Sequence, residues 1–208
     1  MAIPVKSEVQ ALLGPFHSRI WLVVQRAWNE WRLVAAFRRD NNLGPLLYPR
    51  TVANDVFDAI ARDAIAEFGQ DPSVNIKIEP QSVKLFFKGG VLARFKKGDE
   101  SKLGRNIVTE AVLAFTEADL CFPGLPPETA KVEFIWIANS IQTLLEHVLV
   151  VARDGDRLLW HYDIDDSAEG GGTIVPFPPQ PTPRAPDDND NEGMVKPKKQ
   201  GTKKREKE

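Results

Sequence analysis

Between residues 16 and 39, apolar side chains return every three or four positions at Trp21, Val24, Trp28, Trp31 and Ala35, the period of a helix with one face turned to a core. Arg19, Arg26, Asn29, Glu30 and Arg32 interrupt that run too often for a bilayer span, so the helix is amphipathic. Ser7 with Gln10 has the spacing of a capping box for a short helix ahead of it, ended by Gly14-Pro15. Asn41, Asn42, Gly44 and Pro45 stop the long helix. A second long helix is predicted over 51–68, with Val52, Val56, Ile60 and Ala64 or Ile65 on one stripe, an Asp58–Arg62 pair on the other side and Gly69 as its stop.

After Pro72 the period falls from 3.6 to 2. Val74, Ile76 and Ile78 alternate with polar residues as a half-buried strand requires. Strands over 83–87 and 91–95 flank Gly89-Gly90, where a tight turn needs the positive φ that glycine reaches freely. Further strands are expected at 111–115 and at 132–137, which carries Phe134, Ile135 and Trp136. The last two, over 147–152 and 157–164, bracket Asp154-Gly155. If those two residues form the loop, Val151 faces Leu158, Leu149 faces Trp160 and His147 faces Tyr162, leaving Arg157, His161, Asp163 and Asp165 on the opposite face. The chain therefore reads as α+β: two N-terminal helices packed on a mostly antiparallel sheet of about six strands.

Composition adds a boundary. Of 208 residues, 27 are Lys or Arg and 29 are Asp or Glu, but they are unevenly spread. Residues 1–170 form one net-negative domain, while 171–208 are proline-rich, then acidic from Asp187 to Glu192, then basic from Lys196 onward. That tail has too little apolar surface to offset the entropy of ordering it, which predicts disorder. A lone Cys121 excludes an internal disulfide and points to a reducing cytoplasm. No leader pattern and no run of about 20 apolar residues argues for a membrane.

Four constellations carry side chains suited to chemistry or binding. Arg94, Lys96, Lys97, Lys102 and Arg105, interleaved with glycines, would suit phosphate contacts and make nucleic acid a candidate partner. Their glycine spacing fits neither a P-loop nor a dinucleotide fingerprint. His161, Asp163 and Asp165 alternate on one strand face with hard-cation chemistry, yet a solvated outer face explains them better. With three histidines, no HExxH, CxxC or GxSxG, and Cys121 reading as a small buried hydrophobe, no catalytic residue, metal or cofactor is expected. The tryptophan stripe Trp21, Trp28 and Trp31, flanked by Arg32, either packs on the sheet or stays open as a docking surface for a protein.

In the segments 95–100 and 103–107, together with 132–139 and the closing 148–160 hairpin, the chain resembles a family of bacterial proteins with no assigned activity, associated with phage and mobile elements. Some sit beside genes for ImmA/IrrE-like metallopeptidases in toxin–antitoxin-like pairs. The resemblance covers roughly 50–165 and brings no catalytic residues; it implies a role in controlling a partner, with the product of the adjacent gene as the candidate. The expectation is a non-enzymatic interaction protein, with nucleic-acid binding through the Arg94–Arg105 segment and the lysine-rich tail as the competing reading.

Overall fold

In the computed structural model, residues 4–104, 115–116, 126 and 128–164 are described, all within the unit Met1–Gly172. The strand expected at 111–115 lies outside them except for Phe115, as do Arg105, Cys121, Asp165 and the tail from 171.

The helices are α1 (Lys6–Leu13), α2 (His17–Asp40), joined to α1 by the 3-10 turn Gly14–Phe16, and α3 (Pro49–Phe68). The expected capping box is not made. Helix α1 starts from an extended Val5 with no side-chain cap, and it is fixed by burial of Val9 and Leu13. Nearby, the Trp160 indole N–H donates to the Pro4 carbonyl at 2.6 Å. Helix α3 starts two residues before Thr51, with Pro49 at a first-turn position where its missing N–H costs nothing. Arg62 bonds Glu30 of α2 at 2.5 Å in place of the expected Asp58 partner, tying the two long helices together.

Six strands follow: β1 (Val74–Glu79), β2 (Ser82–Phe87), β3 (Val91–Lys97), β4 (Ala130–Ala138), β5 (Leu145–Asp154) and β6 (Arg157–Asp163). They lie in chain order across one sheet, antiparallel except that β3 and β4 run parallel. Parallel neighbours need a long crossover, and residues 98–129 supply it. The burial pattern agrees: Val91–Phe95 and Val132–Trp136 are buried without alternation, as strands covered on both faces are.

One face of the sheet carries Leu85, Phe87, Ala93, Phe95, Phe134, Trp136, Val150 and Tyr162, and the helices pack on it. Trp28 meets Trp136 with ring centroids 5.9 Å apart and is 2% exposed. Trp31 is buried as well, and Trp21 packs half-buried at the rim. A docking stripe through Trp21, Trp28 and Trp31 is thus corrected: its two inner members are core, because covering an indole beside another indole removes more apolar surface from water than any exposed use preserves. At the end of α2 nearest the β1 turn, Arg19 donates to Glu67 Oε1 at 2.8 Å, to the Glu67 carbonyl at 2.8 Å and to Asp71 at 2.5 Å, with its guanidinium 4.5 Å from the Phe68 ring.

The closing hairpin also differs from expectation. Asp154 pairs with Arg157, leaving Gly155 (φ +55°) and Asp156 as the loop, and a register shift follows between Ala152 and Arg153. Tyr162 therefore faces Val150, Trp160 faces Ala152 and His161 faces Val151. Val151 thus meets a residue three positions beyond the expected Leu158, and the register shift at Ala152/Arg153 puts both aromatics on the helix side with Val148, Val150 and Ala152.

Trp28→Ala should lower the free energy of unfolding by about 3–5 kcal/mol, read from the urea midpoint. The hydrogen bond from Arg19, and then those from Ser73, hold the Asp71 carboxyl at about 2, below its ordinary 3.8. That pair stabilises the fold above the ordinary value, and the stability is lost as pH falls toward 2. The advantage of the native chain over Asp71→Asn should disappear between about pH 5 and about pH 2.

Candidate functional site

The second face of the sheet is charged but not open. A straight row crosses the strands through Lys77, Lys84, Arg94, Glu133, Val151 and His161. Glu133 is fully buried, and its Oε1 accepts from Arg94 Nε at 3.0 Å and Nη2 at 2.5 Å. Its Oε2 faces Arg153 Nη1 at 3.4 Å, and Arg153 also donates to the carbonyls of Gly104 at 3.0 Å and Gly155 at 2.6 Å. Burial pulls Arg94 below its ordinary value, opposed by the Glu133 charge. The crossover covers this cluster: the Phe115 ring lies 4.1 Å from the Arg94 guanidinium, and a Cβ on Gly104 would press into Lys96.

Toward β1, burial would raise the Glu79 carboxyl, but hydrogen bonds from Lys84 and Lys77 outweigh it and leave it below its ordinary value. Toward β6, Lys102 (φ +62°) places its ammonium 2.7 Å from His161 Nε2. Burial and that neighbouring cation lower the His161 pKa, so the neutral ring accepts from the ammonium.

The basic segment expected to grip phosphates is therefore dispersed. Arg94 is spent on Glu133; Lys96 is half-buried, with burial and then Arg94 lowering its pKa; Lys97 lies 5.4 Å from the Trp136 ring on the helix side; Lys102 bonds His161; Arg105 lies outside the described residues. Alternation along β3 keeps Arg94 and Lys96 on the covered face beside Glu133 and sends Lys97 to the helix face, a division that spacing along the chain conceals.

Two histidine sites remain. His17 Nε2 lies 3.1 Å from the Tyr162 hydroxyl under Trp160; burial lowers the imidazole and raises the phenol, so both stay neutral. His147 Nδ1 stands 3.2 Å from Asp163 at an open depression also lined by Trp21 and Gln25. Its volume of about 130 Å³ falls below the roughly 300–1,000 Å³ of a small-molecule site. Among the described residues no three His, Cys, Asp or Glu side chains are placed to hold a metal ion. His161 and Asp163 share a face but are engaged with Lys102 and His147. No helix is long and apolar enough to cross a membrane among the described residues.

Among the described residues, Ile78, Ile141 and Leu144 are exposed singly or in a pair, and a larger run of exposed apolar side chains lies at the far end of the helical pair. The buried residues of α2 stop at Trp31, yet the helix continues to Asp40. On that overhang Leu33 is 53% and Phe37 63% exposed, with Val34 beside them. The loop to α3 adds Leu43, Leu47 at 81% and Tyr48 at 69%, while Leu46 turns inward and anchors it. The loop is held by backbone bonds from Asn41 to Phe37, Asn42 to Arg39 and Leu43 to Arg38, and by Arg38 donating to the Gly44 carbonyl at 2.8 Å. Asn42 takes the left-handed conformation (φ +53°) that closes the helix. Arg32, Arg39 and Arg50 are exposed around these side chains, and Arg38 is half-exposed. Of the docking residues expected from sequence, only Arg32 belongs to this tip. The other tip residues escape a reading by single stripe, although Leu33-Val34-Ala35-Ala36-Phe37 is too apolar for one and signals a second face.

No family model matches the chain, and comparison with curated proteins and with solved structures found no match either.

Glu133→Ala removes the counter-charge shared by two buried guanidiniums and should destabilise the fold by about 3–5 kcal/mol. Urea unfolding at neutral pH measures this, and a loss under about 1 kcal/mol would mean that the cluster is solvated in solution.

Proposed function

We propose that this chain is a non-enzymatic protein-interaction module, of the kind that serves as the neutralising or regulatory member of a toxin–antitoxin or phage-defence pair. It docks through the tip formed by the end of α2 and the α2–α3 loop. The observation that carries this reading is the set of six large exposed apolar side chains, Leu33, Val34 and Phe37 at the end of α2 and Leu43, Leu47 and Tyr48 in a loop whose start is hydrogen-bonded back to the helix. Single exposed apolar residues are ordinary on a protein surface, but six of them between residues 33 and 48, interspersed with exposed arginines, have the composition of a protein-binding site.

Preorganisation supports the same reading. A tip whose backbone is already bonded loses little conformational freedom on binding, so more of its apolar burial is expressed as affinity. The buried Arg94 and half-buried Lys96 take two cations away from the competing nucleic-acid reading.

Co-expression with the product of the adjacent gene tests the proposal. A stoichiometric complex is expected by size-exclusion chromatography with light scattering, and Leu47→Asp should weaken it at least about tenfold while leaving the urea midpoint unchanged. Absence of a complex, or one indifferent to Leu47→Asp, would contradict it.

A further inference from the structure

We infer that the tip is built for an acidic, amphipathic helix of the partner protein; this rests on the interaction reading above and names the chemistry of what it binds. Leu33 and Phe37 are four residues apart and exposed, so they form one ridge along the overhang of α2. A second helix packs against such a ridge by setting its own apolar stripe into the neighbouring groove, and beyond Trp31 no buried residue of α2 uses that site. Leu43, Leu47 and Tyr48 widen the strip from the loop side.

Charge selects among occupants. The segment from Arg32 to Arg50 holds four arginines, Arg32, Arg38, Arg39 and Arg50, against one acidic residue, Asp40, which already pairs with Arg39 at 3.3 Å; the exposed Asp55 and Asp58 follow on α3. The whole chain is net negative, so this concentration runs against its overall charge. A second copy of the chain docking tip to tip across a two-fold axis would bring the arginines against their own images, a like-charge cost that the lone aspartate of each copy does little to offset. An anionic bilayer answers the arginines but not the geometry. Asp40, Asn41 and Asn42 lie between Phe37 and Leu43 in the chain, and inserting both apolar residues would drag a carboxylate and two amides toward hydrocarbon. A helix with leucine or phenylalanine on one side and glutamates along its margins covers the apolar strip, meets the guanidiniums at the rim and leaves Asp40 in water.

The test uses the full chain and two synthetic amphipathic helices of equal length and identical apolar positions, one with glutamate and one with lysine at the polar positions. Fluorescence anisotropy at low salt should show the acidic peptide binding at least about tenfold tighter than the basic one, with affinity falling as salt rises. Arg32→Gln with Arg39→Gln and Arg50→Gln should abolish that preference, and Phe37→Asp with Leu47→Asp should remove binding of either peptide. These positions are exposed, so an unchanged circular dichroism melt is expected and confirms that a lost signal is lost recognition. Equal binding of both peptides, or binding unchanged in the variants, would overturn the inference. So would a tip-dependent dimer in sedimentation, or tip-dependent binding to phosphatidylserine vesicles in place of the acidic peptide. If the complex with the neighbouring gene product forms and is broken by Leu47→Asp but not by the arginine variants, the interaction reading stands and the acidic partner alone falls.

Discussion

A single buried carboxylate sets the terms for the rest of this fold. Glu133 sits on a central strand with no exposure, between Arg94 of β3 and Arg153 of β5. Two guanidiniums and a carboxylate out of water are tolerable when their hydrogen bonds are satisfied, which is why Arg153 also reaches the Gly104 and Gly155 carbonyls. Satisfying them requires a cover over the second sheet face. Described residues of the connection from β3 to β4 contribute to it: Phe115 lies against Arg94, and Gly98 and Gly104 approach so closely that a Cβ at either would strike Ile135 or Lys96. The parallel pairing of β3 with β4 and the covered polar cluster are thus two sides of one arrangement.

Around Glu133 that face is covered. The helix face is closed too, by Trp28 on Trp136 and the phenylalanines around them. Among the described residues, the longest run of exposed apolar side chains is on an overhang. Helix α2 has 24 residues, and its last nine, about 13 Å of helix, extend past its last buried residue, with Ala35 still packed against the core. Nothing in helix propensity demands that this extension be apolar; a purely structural overhang would be polar, since a helical turn surrounded by water has no core to turn an apolar face toward. Leu33, Phe37 and Leu47 in water, backed by a bonded loop, are the physical reason to read the tip as a surface made for contact.

Much of the architecture was legible in the chain because hydrophobic period is a local property. The helical stripe from Trp21 to Ala35, the alternation at Val74, Ile76 and Ile78, and the Gly89-Gly90 turn each announce their element without reference to anything distant. Failures fall where competition between distant groups decides. The hairpin register turned on whether Tyr162 buries more beside Val150 or beside His147, and the helix layer settled it. The cation cluster looked continuous in sequence, but strand alternation and Glu133, 39 residues away from Arg94, took it apart.

Local patterning along the chain was enough to assign most helices and strands, to set two long helices against one face of a largely antiparallel sheet, and to mark a sharp change of composition near residue 170. Periodicity and composition carry such information because each depends on neighbours within a few turns or pleats. Four outcomes needed the folded chain: β3 and β4 run parallel, Trp28 and Trp31 are core, Arg94 is neutralised from the neighbouring strand, and Leu33 and Phe37 beyond Trp31 are exposed. They depend on which surfaces meet and where a helix outlasts its support, and burial is a property of the assembled chain, not of any residue within it.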